Sequence, residues 1–146
     1  MSVSADEIRR VVHTIWSTQL GLELIDTEVG AIESVLVEQN VVDVGARNSG
    51  DFDGILVQRC SLQLSLMAAG VAFAADREGL DVSDARDALI ELANMTAGNL
   101  KAVFPGSCEV AIPAVIDHIP ASNPILAEAG FLYQGEPMIV TIYEVE

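Results

Sequence analysis

The segment from Asp84 to Phe104 most constrains the fold, because its pattern predicts one long helix with two different sides. At about 3.6 residues per turn, one set of its residues falls within a stripe about 100° wide and can be buried together. The members of this set are Leu89, Leu92, Ala93, Thr96, Leu100 and Val103. A second set lies almost opposite and is expected to face outward, namely Asp87, Glu91, Asn94 and Gly98.

The outward side combines an acid with an amide. Glu91 and Asn94 are one helical turn apart, so a carboxylate and a carboxamide can contact one partner from two directions. Gly98 removes a side chain at a point where the backbone of a partner could come close. Such a face is most often simply solvated. Asn and a mid-helix Gly together cost a helix about 1 to 1.5 kcal/mol relative to Ala, however, which favours a functional reason for their presence.

The run from Glu91 to Asn99, Glu-Leu-Ala-Asn-Met-Thr-Ala-Gly-Asn, is followed by Pro113 within Ala-Ile-Pro-Ala-Val-Ile. Together these residues resemble the signature of the CheX branch of the CheC/CheX/FliY phosphatases. The motif occurs once, since no other Glu in the sequence has Asn three positions later. A single copy of the motif fits CheX better than CheC, because CheC resembles an internally doubled version of such a chain, with a second motif. The resemblance extends more loosely from the first helix to the last strand.

The resemblance implies a hydrolase that dephosphorylates a CheY-like response regulator, in chemotaxis or another two-component signalling pathway. Asn94 would position the attacking water, and Glu91 would pair with the active-site lysine of the regulator. Asp87, Gly98 and Asn99 would contact the partner around them. Met95, next to Asn94, is either a soft apolar contact with the partner or a half-buried spacer. No metal or cofactor of the chain's own is implied, because the Mg²⁺ is expected on the partner regulator.

Two other functions use the same features. A non-catalytic adaptor could bind a response regulator or a flagellar-switch partner through the same helix. The chain could instead be a structural protein, since CheX-like proteins are expected to pair through sheet edges and a homodimer is possible.

Composition limits the classes of binding partner and the cellular compartment that we expect. The chain has 22 acidic and 7 basic residues and a formal charge of -15, which repels nucleic acid and anionic membrane surfaces. Cys60 and Cys108 form no close motif and are expected to be reduced, buried thiols. With only His13 and His118 as histidines, no metal cluster is apparent. The segment from Ser4 to Arg10 is too polar for a secretory leader, so we expect a cytoplasmic protein.

The remaining patterns predict a single domain over residues 1–146, with alternating groups of helices and strands. Helices are expected over about 4–20, ending near Gly21, and over Leu62 to about Phe73. Strands are expected within Ala31 to Ala46, over Gly54 to Cys60, on either side of Pro113, over Ile125 to Tyr133 and over Met138 to Val145. This order predicts a CheX-like α+β fold, with helices on one face of a mainly antiparallel sheet.

Overall fold

The computed structural model describes residues 3–145, and within them a mixed set of helices and strands alternates along the chain. The α-helices are α1 (Ala5–Ile15), α2 (Val29–Val37), α3 (Leu62–Ala72) and α4 (Val82–Leu100). The strands are β1 (Ile25–Thr27), β2 (Val41–Gly50), β3 (Gly54–Ser61), β4 (Cys108–Val110), β5 (Ala114–Val115), β6 (Ile125–Tyr133) and β7 (Glu136–Glu144). A π-helical turn, Trp16–Leu20, follows α1, and short 3₁₀ turns lie at Arg77–Gly79 and Lys101–Val103.

The strands form one seven-stranded sheet in the order β1-β6-β7-β3-β2-β4, with β5 also paired to β2. Each of these pairings is antiparallel. The pairs β2–β3 and β6–β7 are hairpins, each formed by two strands that follow one another in the sequence. Gln134 and Gly135 connect the second hairpin with positive φ angles of 50° and 81°, as tight hairpin turns require. The predicted α+β fold with a mainly antiparallel sheet is therefore confirmed.

The main core lies between one face of this sheet and three helices, α1, α3 and α4. Its largest fully buried side chains include Trp16, Leu64, Leu89 and Phe131. The sheet side is supplied by alternate strand residues, because neighbouring residues of a strand point to opposite faces. Val44 from β2 and Val140 from β7 are examples, and both are completely buried. This core confirms the predicted packing of helices on one face of the sheet.

Helix α2 differs from the expectation for its part of the chain. The β-branched residues from Ala31 onward predict a strand, but residues 29–37 are helical and β2 begins only at Val41. The prediction is wrong for this first half because Ile32 and Leu36, one helical turn apart, are buried against Ile139. Ile139 points to the sheet face opposite Val140, so α2 packs on the side away from the other helices. Burial of this pair outweighs the weak strand preference of the local sequence.

The other boundaries follow the sequence closely. The first helix is capped by Ser4, and the π-helical turn after it ends at Gly21, whose φ is 67°. Ser61 caps α3, where its hydroxyl accepts a 3.1 Å hydrogen bond from the Leu64 backbone nitrogen. Residues 111–113 separate β4 from β5, so strands lie on either side of Pro113 as predicted, and the proline interrupts an edge of the sheet. No helix of the described residues is both long enough and apolar enough to cross a bilayer.

Both cysteines are buried and unpaired, as expected from their positions in the sequence. Cys60 lies on the helix-covered face of β3 and is fully buried in the main core. Loss of hydration raises the pKa of its thiol to about 12. A hydrogen bond with Ser65 acts in the opposite direction but is the smaller effect. Cys60 is therefore a protonated core residue at neutral pH and has no nucleophilic character there.

Candidate functional site

Helix α4 carries the predicted site, and its start is fixed by a reciprocal cap. The carboxylate of Asp81 accepts a 3.1 Å hydrogen bond from the Asp84 backbone nitrogen, while the carboxylate of Asp84 accepts one of 3.0 Å from the Asp81 nitrogen. The helix therefore begins at Val82 with Asp81 as its cap, two residues before the segment that the pattern predicts from Asp84. This arrangement satisfies backbone donors that the first turn would otherwise leave free, and places negative charge where the helix dipole favours it.

One side of α4 is anchored in the main core. Its buried residues are Ala85, Ala88, Leu89, Leu92, Ala93, Thr96, Ala97 and Leu100. The hydroxyl of Thr96 is completely buried and donates a 2.7 Å hydrogen bond to the Leu92 carbonyl oxygen, so it needs no partner outside the helix. Of the predicted apolar stripe, only Val103 lies beyond α4, in the following 3₁₀ turn, where it is half-buried. This packing leaves α4 little freedom to rotate and fixes which side faces outward.

The opposite side presents Glu91 and Asn94 to solvent, one turn apart, with Asp87 a further turn towards the start of the helix. Within residues 3–145, no side-chain hydrogen bond or ion pair engages Glu91 or Asn94. An exposed carboxylate can accept hydrogen bonds from a cation, and an exposed carboxamide can both donate and accept. The pair is thus available to contact groups outside the protein.

Gly98 and Asn99 continue this side of the helix toward its end. A Cβ atom added to Gly98 would meet no atom within 4 Å, so the fold itself does not require glycine there. Asn99 is exposed, but its side-chain nitrogen donates a 2.8 Å hydrogen bond to the Met95 carbonyl oxygen. The helix surface at Gly98 is therefore open, whereas the amide group of Asn99 is partly engaged within its own helix.

A groove that the sequence did not predict lies beside Glu91. We call it the Phe73 groove; it has a volume of about 240 Å³ and is lined by Gln19, Leu20, Ala72, Phe73, Ala88, Glu91, Leu92 and Met95. The end of α3, the π-helical turn and α4 meet there, so no local pattern could reveal it. Phe73 is 45% exposed although the sequence places it at the end of an apolar helix. Met95, predicted as a partner contact, is half-buried in this groove.

The arrangement can position small molecules or cations, but it offers little chemistry of its own. Neither a cysteine nor a histidine lies among the exposed residues of α4, and its one exposed hydroxyl, that of Ser83, is in the first turn, about two turns before Glu91. Over residues 3–145, no group of His, Cys, Asp and Glu side chains has the geometry of a metal site. The exposed carboxylate and carboxamide can bind and orient, so any reaction here depends on groups supplied by a partner.

The comparisons with known proteins are consistent with this architecture. The structure is similar to the chemotaxis protein CheX from Vibrio vulnificus, with a TM-score of 0.75, 17% identity, and coverage of 94% of this chain and 93% of that chain. It is similar to CheX from Desulfovibrio desulfuricans, with a TM-score of 0.71, 16% identity, and coverage of 97% and 98%. A third similar structure is the CheX-CheY-BeF3-Mg complex from Borrelia burgdorferi, with a TM-score of 0.69, 16% identity, and 97% coverage of both chains.

At these identities the solved structures establish the shared fold alone. None of the curated proteins matches the chain. The family described as "Chemotaxis phosphatase CheX" matches residues 44–125, a region that includes both the edge at Pro113 and all of α4. Because this match spans more than half of the sequence, the chain belongs to the CheX family.

Proposed function

We propose that the protein is a phosphatase of a CheY-like response regulator, acting on the phosphoryl group carried by the regulator's aspartate. The observation that carries the proposal is the exposed pair Glu91 and Asn94, which is free of internal partners on a helix whose other side is fixed in the core. Membership of a family of chemotaxis phosphatases supports the substrate class. The similar Borrelia structure, a complex with CheY, BeF3 and Mg, supports the partner.

The reaction requires little from the phosphatase. In the response regulator, the acyl phosphate is already held by the regulator's own Mg²⁺ and lysine, so the missing element is a water in line with the departing oxygen. The oxygen of that water bonds to phosphorus while the bond between phosphorus and the aspartate oxygen breaks. The products are the free aspartate carboxylate and inorganic phosphate, which retains the protons of the water. An inserted side chain that orients the water is sufficient.

Asn94 is suited to that task. Its carboxamide oxygen can accept a hydrogen bond from the water, and its nitrogen can donate one to a phosphoryl oxygen or to the water itself. The side chain stays neutral throughout, so no proton has to be stored on the phosphatase. Because α4 is anchored in the core by residues such as Leu92 and Ala93, the carboxamide is held on a rigid element.

Glu91 would bind the partner. Its carboxylate lies one turn before Asn94, and an ion pair with the regulator's active-site lysine would set the distance at which Asn94 enters that site. Asp87 lies one further turn away and would add a peripheral polar contact. Gly98 would let the regulator's backbone approach the helix, because no side chain projects there.

A non-catalytic adaptor is the second candidate, since it would use the same exposed helix. An adaptor needs surface complementarity but not a carboxamide that is free of internal partners, as Asn94 is. That observation favours the enzyme.

One assay separates the two functions. Each CheY-like receiver domain encoded in the same genome is charged with acetyl phosphate, and loss of its phosphoryl group is followed with and without the purified protein. The phosphatase should accelerate the loss for at least one receiver, and Asn94→Ala should abolish most of the acceleration. Tight binding of a phosphorylated receiver without any acceleration would replace the enzyme with the adaptor.

A further inference from the structure

The Phe73 groove and the exposed acid of α4 form one continuous surface. Glu91 belongs to both, because it lies on the outward side of the helix and also lines the groove. A partner that brings a cation to Glu91 therefore comes next to the mouth of the groove. We propose that the Phe73 groove receives an apolar side chain of the response regulator, adjacent to the lysine that pairs with Glu91. This inference rests on the proposed function and adds a specificity determinant to it.

The size of the groove fits a side chain better than a separate ligand. Pockets that enclose small-molecule ligands usually have volumes of about 300 to 1,000 Å³. At about 240 Å³, the Phe73 groove lies below that range, but it can accept one aliphatic or aromatic side chain. Its walls also come from three separate elements, α3, α4 and the π-helical turn, so its shape is set by the fold rather than by one mobile loop.

The chemistry of the lining selects an apolar occupant. Apart from Glu91 and Gln19, the groove is lined by apolar side chains, and Glu91 is the only charged residue among them. Inserting a charged or unpaired polar group among Leu20, Leu92 and Phe73 would remove its hydration without providing a partner. A cation is favoured only at Glu91 itself. The surface therefore matches a regulator that presents a lysine beside an apolar residue.

Phe73 is the residue from which such an occupant would gain most. It is 45% exposed at the end of α3, and covering that area removes apolar surface from water. Aromatic residues, phenylalanine among them, are enriched in the buried centres of protein interfaces. Met95 lies in the same groove, and its flexible thioether can adjust to occupants of different shape. Ala72 and Ala88 keep the groove open, because neither side chain extends beyond Cβ.

The experiment measures binding and turnover separately. A receiver domain that the wild-type protein dephosphorylates is loaded with beryllofluoride and Mg²⁺, and its dissociation constant is measured by calorimetry for wild type, Phe73→Ser and Ala72→Gln. The matched control is Val71→Ser, because Val71 is also 45% exposed at the end of α3 but does not line the groove. Circular dichroism establishes that each variant is folded.

Phe73→Ser should raise the dissociation constant about ten-fold, close to the effect of uncovering half of a large apolar side chain. Ala72→Gln, which puts a longer polar side chain into the groove without changing the charge, should raise it about five-fold or more, and Val71→Ser should leave it within about two-fold of wild type. KM should rise in parallel while kcat stays within about two-fold, since the contact exists before and during the reaction.

The two proposals fail in different measurements. Wild-type affinity in both Phe73→Ser and Ala72→Gln, with normal phosphatase activity, would overturn the groove as a binding site and leave the proposed function standing. An equal loss of affinity in Val71→Ser would also overturn it, because the effect would then not be specific to the groove. Absence of phosphatase activity and of binding for every receiver tested would overturn the proposed function, and the groove inference with it.

Discussion

The side-chain nitrogen of Asn99 donates a 2.8 Å hydrogen bond to the backbone carbonyl oxygen of Met95, four residues earlier in the same helix. Asn94, also exposed on α4, makes no side-chain hydrogen bond within residues 3–145. The two asparagines of the motif are therefore not equivalent. One is partly used by its own helix, whereas the other retains both its donor and its acceptor for an external group.

This difference makes Asn99 a matched control for Asn94. We expect Asn94→Ala to slow dephosphorylation of a receiver about 10²-fold or more, comparable to the loss of one preorganised catalytic hydrogen bond, with little change in affinity. Asn99→Ala should change the rate only a few-fold. Single-turnover decay of the phosphorylated receiver measures the rate, and calorimetry with the beryllofluoride-loaded receiver measures the affinity. Equal effects of the two substitutions would contradict the assignment of the water to Asn94.

Removing Glu91 should have a different signature. Glu91→Ala should weaken receiver binding and also lower the rate, because the ion pair with the receiver's lysine both anchors the helix and sets its position. We expect the dissociation constant to rise about ten-fold or more, with a smaller dependence on salt than in wild type. Glu38→Ala provides a control, since Glu38 is exposed at the end of α2, on the other face of the sheet. A salt dependence that is unchanged in Glu91→Ala would argue against the ion pair.

Gly98 should show opposite effects on stability and on function. Gly98→Ala is expected to raise the free energy of unfolding by about 0.5 to 1 kcal/mol, because alanine favours the helix and its Cβ meets no atom within 4 Å. The same change should raise KM for the phosphorylated receiver, and Gly98→Leu should raise it further. Urea unfolding and steady-state kinetics measure the two quantities. If Gly98→Leu kept the wild-type KM, the receiver would not approach the helix at this point.

Gly21→Ala is a useful comparison in the unfolding experiment. Gly21 has a φ of 67°, a conformation that side chains with Cβ rarely adopt. Alanine should therefore lower the free energy of unfolding there, by about 1 kcal/mol or more, even though the added Cβ would meet no atom within 4 Å. If Gly98→Ala and Gly21→Ala both raised the free energy of unfolding, the conformation at Gly21 would not limit stability.

The buried thiol of Cys60 should make the stability of the protein depend on pH in the alkaline range. Burial raises the pKa of its thiol from an ordinary value of 9.0 to about 12 in the folded protein. The unfolded chain therefore releases this proton first, so the contribution to stability is fully present below pH 9.0 and is lost as pH rises toward 12. We expect the free energy of unfolding to fall by up to about 1.4 kcal/mol per pH unit in this range.

Urea unfolding between pH 8 and pH 11 measures that slope, with Cys60→Ala as the control. The comparison uses slopes rather than absolute stabilities, because alanine also leaves a small cavity. Some slope should remain in the variant, since burial raises the pKa of Tyr143 as well. Identical slopes for wild type and Cys60→Ala would mean that Cys60 is not protected from ionisation in the folded state.

Part of the fold could be predicted from local patterns because local physics determines it. The two hairpins are marked by short polar turns between alternating strand segments, and α3 by a serine cap before an apolar run. The sides of α4 follow from helical periodicity, which places Leu89 in the core and Glu91 in solvent. In each case a few neighbouring residues contain the whole signal.

Other features depended on residues far apart in the sequence. Helix α2 forms because Ile32 and Leu36 pack against Ile139, on the face of the sheet opposite the main core, although the local sequence favours a strand. The Phe73 groove likewise joins the end of α3 to α4 and to the turn after α1. Periodicity within a single element cannot report such contacts, because they exist only when the elements pack together.

The sequence by itself determined that Glu91 and Asn94 lie on the same side of α4, since the 3.6-residue period fixes which side chains share a side of a helix. Only the tertiary structure decided which side would be covered and what would lie next to it. The burial of Leu92 and Ala93 in the main core turns Glu91 and Asn94 outward, and the end of α3 places Phe73 in the groove that Glu91 also lines. The physical reason is that the hydrophobic effect acts between elements, whereas helical geometry acts within one.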